Sequence, residues 1–156
     1  KSLLISSDGE KYSPEGIEEA LVEKSKYIDQ VMLYNNQSAY TTALIVPNRE
    51  ALKRKLAHLN LALDTEEGRK AAVKKLEEEL AKYRKGGEFE GMFPERWLPT
   101  TFAVLAEPFT EQNQMINSTM KMVRGKIEKA YTSRIDYMYT AEGKQTQNQQ
   151  NLDALK

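Results

Sequence analysis

Two runs rich in β-branched and aromatic residues, 28–34 and 40–46, flank the polar stretch Asn35-Asn36-Gln37-Ser38, and Pro47 stops the second. Such runs suit a pleated, half-buried surface, and a short polar connection returns the second beside the first as an antiparallel neighbour. A sheet therefore begins here, and the other segments have to be placed against it. Upstream, Ser13-Pro14-Glu15 supplies an N-cap oxygen, a proline at the first helical position and an acid in the first turn. Ile17, Ala20, Leu21 and Lys24 then share one helical face. Earlier still, residues 3–5 and 10–12 are short extended pieces joined by Ser6-Ser7-Asp8-Gly9, where Asp-Gly is a strong tight-turn dipeptide, so the chain opens on a hairpin.

Beyond the two strands, Asn48 caps a helix striped by Leu52, Leu56 and Leu59. Asp64 or Thr65 caps another, in which Val73, Leu76, Leu80 and Tyr83 recur at helical spacing until Gly86-Gly87 ends it. The two helices are expected to pack together. Residues 87–99 are punctuated by glycine and proline yet carry Phe89, Met92, Phe93, Trp97 and Leu98, which points to an irregular segment pinned by its aromatics. Residues 101–105 form a third β-rich run, and Val123, Ile127, Ala130 and Tyr131 mark a last clear helix. Past Tyr139 the composition turns to Gln, Asn, Lys and Thr, so the tail is expected to be weakly held.

No internal repeat is evident, and 156 residues suit one domain. The predicted class is α+β: an N-terminal β-hairpin, a small sheet of about three strands flanked by helices, and an inserted helical pair. The domain is placed at 1–139, with the insert at about 55–99 and a polar tail at 140–156.

With 23 Lys+Arg against 23 Asp+Glu the formal net charge is zero, so no whole-chain field would hold nucleic acid or an anionic membrane. The absence of cysteine removes disulfide scaffolds, thiolate metal sites and thiol nucleophiles, and the one histidine, His58, cannot build a metal site alone. No window approaches the ~20 apolar residues of a membrane span, and residues 1–13 lack a signal-peptide core. The expectation is a soluble cytoplasmic protein, peripheral to a membrane at most.

Two segments could carry chemistry. The turn Ser7-Asp8-Gly9-Glu10 offers hydroxyl and carboxylate groups around a glycine that lets a ligand approach the backbone, although most such turns only connect strands. The stretch Asn117-Ser118-Thr119-Met120-Lys121-Met122-Val123-Arg124 sets a mobile ammonium just before a helix, a combination suited to phosphate or carboxylate. Most surface lysines are merely solvated.

Four stretches in order sharpen that reading: Asp8-Gly9-Glu10-Lys11-Tyr12-Ser13-Pro14-Glu15-Gly16-Ile17-Glu18, Ala43-Leu44-Ile45-Val46-Pro47, Pro108-Phe109-Thr110-Glu111-Gln112-Asn113 and Ser118-Thr119-Met120-Lys121-Met122-Val123-Arg124. Together they resemble the C-terminal domain of AMP-forming acyl-CoA synthetases, in the long-chain fatty-acid:CoA ligase branch of the adenylate-forming superfamily. The resemblance runs from Lys1 to about Ile135. It implies a small domain that rotates on a hinge over a large N-terminal domain holding ATP, Mg²⁺ and the fatty acid. Lys1 matches the lysine that precedes the hinge, and Ser2 stands where the family usually has Asp or Lys.

By the same resemblance Lys121 is the adenylation lysine, closing on the carboxylate and the α-phosphate of ATP, with Thr119 and Arg124 as its supporting loop. The superfamily commonly has glycine where this chain has Met120. After adenylation the domain swings, and Ser7, Asp8, Gly9 and Glu10 line the tunnel for the pantetheine arm of CoA. No cofactor or metal is implied in this domain itself; ATP, Mg²⁺ and CoA belong to the full-length enzyme, and the domain alone is expected to be inactive. Its partner is the N-terminal domain of the same chain.

Other features carry less. Gly143-Lys144-Gln145-Thr146 lacks the spacing of a P-loop, Glu77-Glu78-Glu79 reads as a solvated, salt-bridged helix face, and Tyr131, Tyr137 and Tyr139 read as packing or partner contact. The competing class is a non-catalytic interaction domain that binds a protein through its helical and aromatic insert. A small acyl- or nucleotide-binding protein is the third.

Overall fold

The computed structural model describes residues 2–156, and Lys1 lies outside the described residues. The opening hairpin is β1 (Leu4–Ser6) against β2 (Lys11–Tyr12), paired Leu4↔Tyr12 and Ile5↔Lys11. α1 (Glu15–Lys24) follows and buries Ile17 and Leu21. Pro14 already has helical dihedrals and its carbonyl accepts from the Glu18 N–H, while the expected cap, Ser13, donates its hydroxyl to Glu15 Oε1 (2.6 Å) instead.

β3 (Ile28–Tyr34) leads into a connection that is more than a turn. Within it Asn36–Ser38 form β4, parallel to β1 through Ile5↔Asn36 and Ser6↔Ser38, so a second sheet of order β2-β1-β4 arises. Asn35 makes this possible: its carbonyl accepts from Ile5 N–H (3.1 Å) and its side-chain oxygen from Ser38 N–H (2.8 Å). β5 (Thr41–Pro47) pairs antiparallel with β3 and is buried along its whole length, as a central strand must be.

The inserted pair is α2 (Arg49–His58), capped by Asn48 Oδ1 on Ala51 N–H, and α3 (Glu66–Ala81), capped by Thr65 Oγ1 on Gly68 N–H. Leu52 and Leu56 are buried with Val73, Leu76, Leu80 and Tyr83. Leu59 is 54% exposed: the Leu56 carbonyl accepts from both Leu59 and Leu61 N–H, Asn60 takes φ +58°, and this reversal turns Leu59 outward and brings in Leu63. Phe89, Phe93 and Trp97 pin the irregular stretch, with Trp97 stacked on Tyr12 at 5.4 Å, whereas Met92 faces outward. These pieces form the crossover that delivers β6 (Pro99–Val104) parallel to β5, completing the order β3-β5-β6.

Alternation along these strands divides the core. Val31, Leu33, Ala43, Ile45, Phe102 and Val104 face α1 and the insert; Met32, Leu44, Val46, Ala103 and Leu105 face Phe109, Ile127, Ile135 and Met138. The second layer is made by α4 (Arg124–Ala130) and α5 (Thr132–Tyr137).

The expectation of a weakly held tail at 140–156 is corrected. It forms α6 (Ala141–Lys144) and α7 (Gln149–Ala154), and Leu152 and Leu155 enter the core. Its polarity serves the outer edge of β6. Asn151, 1% exposed, accepts from Val104 N–H (2.8 Å) and donates to the carbonyls of Phe102 (3.1 Å) and Thr146 (2.9 Å). Arg49 donates to the carbonyls of Ala154 and Leu155.

Candidate functional site

Lys121 stands at the tip of a small hairpin whose limbs meet at an antiparallel bridge between Ile116 and Met122. One side chain shapes the tip. Asn117 Oδ1 accepts from Thr119 N–H (3.0 Å), Thr119 Oγ1 (2.7 Å) and Lys121 N–H (3.0 Å), while its backbone bonds the Lys121 carbonyl and the Met120 N–H. Asparagine suits this work because its short amide bonds the backbone two and four residues on. Met120 takes φ +66° and is 71% exposed, and Lys121 is exposed beside it.

The limbs are tied to the body on both sides. On the N-terminal side, Gln30 bonds both backbone groups of Phe109, and Asn113 closes the following loop onto Pro108 and Thr110. On the C-terminal side, Arg124 opens α4 and lays its guanidinium on Glu18: Nη1 donates to Oε2 (2.9 Å) and Nη2 to Oε1. Glu18 is 5% exposed, and Oε2 also takes the Leu33 N–H (2.7 Å) from the edge of β3. Burial pushes this carboxyl above the ordinary glutamate range, with Arg124 and Leu33 opposing the shift.

Ser2, the expected hinge position, borders the same region. Glu15, one turn before Glu18, is held below the ordinary glutamate range chiefly by the Ser13 hydroxyl. Ser2, Lys121 and Arg124 line one groove of about 800 Å³ together with Glu15 and Glu18. Among the described residues no carboxylate lies within ion-pairing distance of the Lys121 ammonium. The motif singles out Lys121 in the sequence and the same stretch includes Asn117; the parts of Glu15 and Glu18 escaped, since an acid on a helix face gives no sign in sequence that its oxygens turn inward.

The turn Ser7–Glu10 lies apart, and none of its four residues lines that groove. Gly9 N–H donates to the Ser6 carbonyl (3.0 Å), Ser6 N–H to the Glu10 carbonyl (2.9 Å), and Gly9 takes φ +90°, the left-handed conformation that favours glycine. Asp8 accepts from Ser6 Oγ and Glu10 N–H, and these bonds hold its carboxyl low. Arg96 from the insert forks onto Glu10 (2.7 and 2.8 Å), lowering that carboxyl as well. The space where a Gly9 side chain would stand is empty.

Among the described residues, no three His, Cys, Asp or Glu side chains are grouped to hold a metal ion, and no helix is long and apolar enough to cross a membrane. His58 is exposed. The arrangement thus offers an exposed ammonium on a braced hairpin at one place and a glycine-centred turn at another.

A family model described as the AMP-binding enzyme C-terminal domain matches residues 1–85. The chain is 28% identical over 135 residues to long chain acyl-CoA synthetase 8 of Arabidopsis thaliana, covering 83% of this chain and 18% of that protein. It is 26% identical over 123 residues to a carboxylic acid reductase of Mycobacterium tuberculosis, covering 78% of this chain and 9% of that protein. The A-PCP didomain of a carboxylic acid reductase from Segniliparus rugosus, solved in complex with AMP, superposes with a TM-score of 0.68 at 27% identity over 89% of this chain and 17% of that one. The chain therefore spans less than a fifth of the length of these relatives. It belongs to the AMP-binding enzyme C-terminal domain family of the adenylate-forming superfamily, with relatives among both acyl-CoA synthetases and carboxylic acid reductases.

Proposed function

We propose that this chain is the mobile C-terminal domain of an AMP-forming long-chain fatty-acid:CoA ligase, with Lys121 as its adenylation lysine and Ser7, Asp8, Gly9 and Glu10 as its CoA-side turn. The observation that carries the reading is an exposed Lys121 on a hairpin built by Asn117, sharing a groove with the hinge position Ser2. Rotation about Ser2 then moves the ammonium directly. When a fatty-acid carboxylate attacks the α-phosphate of Mg²⁺-bound ATP, negative charge gathers on the phosphate and the departing pyrophosphate. Lys121 stabilises that charge more than the ground state, because its ammonium reaches the site only with the domain closed. Thr119 supports it by sharing the Asn117 oxygen, and Arg124 by anchoring the limb.

The domain then turns, withdraws Lys121 and presents the turn at Gly9, whose bare backbone leaves room for a thiol arm to reach the acyl carbon. In the complete enzyme, Lys121→Ala should slow acyl-AMP formation by ~10²–10³, the usual loss for one donor in a water-excluded site. Thioester formation from preformed acyl-AMP should stay within about twofold on that same donor-loss scale, since Lys121 has left the site. Equal loss of both half-reactions overturns the assignment. The isolated chain should form neither product.

A second reading keeps the chemistry but exchanges the thiol carrier. It is favoured by a chloroplastic long-chain-fatty-acid–[acyl-carrier-protein] ligase of Arabidopsis thaliana, 26% identical over 140 residues and matched over 17% of its length. Supplying free CoA and a phosphopantetheinylated carrier protein in parallel separates the two.

A further inference from the structure

We infer that Glu18 is a positioning residue for Lys121, an inference that rests on the adenylation role proposed above. The bonds around Asn117 fix the shape of the hairpin tip but not the direction in which it points. Direction has to come from the limbs, and on the C-terminal side only Met122 and Val123 separate Lys121 from Arg124. There the chain is clamped: the guanidinium fork engages both oxygens of Glu18, a two-point contact that fixes orientation as well as distance. Glu18 is itself held by Leu33 N–H on the edge of the central sheet, so three donors converge on one buried carboxylate.

A buried carboxylate is a costly way to join a helix to a strand. Apolar side chains of similar size usually pack as well or better, so stability alone does not explain the choice. What the ion pair adds is direction. One turn earlier on α1, Glu15 lines the same groove as Ser2 and Lys121, so α1 runs beside the hinge position as well as the base of the Lys121 hairpin. A domain that turns about Ser2 then carries the ammonium at a fixed angle to α1. A reacting group displaced by about 1 Å can lose on the order of 10²-fold in rate, which sets the scale of the clamp's effect.

The test uses the complete enzyme with Glu18→Gln, Lys121→Ala and the double variant, measuring acyl-AMP formation by pyrophosphate exchange and thioester formation from preformed acyl-AMP. Glu18→Gln guards the fold by keeping an acceptor for Leu33 N–H, while it removes the charge that Arg124 needs. It should slow acyl-AMP formation about ten- to a hundredfold and leave the thioester step within about twofold. In the Lys121→Ala background it should slow adenylation no further. Arg124→Lys, which keeps the charge and loses the fork, should fall between wild type and Glu18→Gln. Equal slowing of both steps by Glu18→Gln, or additivity with Lys121→Ala, overturns the positioning role. If Lys121→Ala itself leaves adenylation intact, the adenylation reading fails instead, so the two failures are told apart.

Discussion

Met120 is held at φ +66° immediately before the lysine on which the proposed chemistry depends, at the position where the sequence resemblance implies glycine. This conformation costs an L-residue about 1–2 kcal/mol, a penalty that glycine avoids. The backbone keeps it because Met120 N–H reaches the Asn117 carbonyl and Lys121 N–H reaches Asn117 Oδ1, two bonds that require the tight reversal. The departure from glycine therefore stiffens the tip without changing its path. Met120→Gly should raise the stability of the chain by about 1 kcal/mol, read as a higher urea midpoint at unchanged slope. An unchanged or lower midpoint would mean that the tip does not hold this residue left-handed in solution. Lys121 stands out through its motif, but this strain was not legible, because nothing in the letters says which residue of a loop takes positive φ once glycine is absent.

At the scale of elements, the sequence displays what repeats and conceals what happens once. The strands β3 and β5, the caps Asn48 and Thr65 and the stripe Val73, Leu76, Leu80 follow from periodicity and cap chemistry. The strand β4 does not, since Asn36–Ser38 have turn composition and become a strand only because β1 lies alongside. The tail misleads for a related reason. Its Gln and Asn content resembles disorder, yet a single amide, Asn151, completes the free edge of β6 and draws Leu152 and Leu155 into the core. Replacing that amide with the similar-sized Asn151→Leu strands the Val104 N–H and the Phe102 carbonyl in a dry setting. The expected loss is about 1–3 kcal/mol for each buried group left unpaired, measured by urea unfolding of the chain. A loss under about 0.5 kcal/mol, the range of ordinary surface substitutions, would show that the tail is held by its leucines alone.

For the molecule as a whole, the Lys121 hairpin and the Gly9 turn belong to one folded body but share no groove, and each is braced separately, by Glu18 and Arg124 in one case and by Arg96 in the other. Two sites on one rigid domain can serve one active centre only in turn, which is the physical content of the proposed rotation. The same separation lets them be broken separately. A Cβ added at Gly9 meets no atom within 4 Å, so the main cost of Gly9→Leu to the fold is the left-handed strain, about 1–2 kcal/mol. In the complete enzyme the added bulk stands where the thiol arm is proposed to pass. Gly9→Leu should therefore leave acyl-AMP formation within about twofold while slowing thioester formation tenfold or more, on the order expected for a misplaced reactant. This is the mirror image of Lys121→Ala, and single-turnover measurement of each half-reaction reads both. If Gly9→Leu leaves the thioester step at the wild-type rate, the turn does no more than close the hairpin between β1 and β2, and the acceptor reaches the acyl-adenylate by another face.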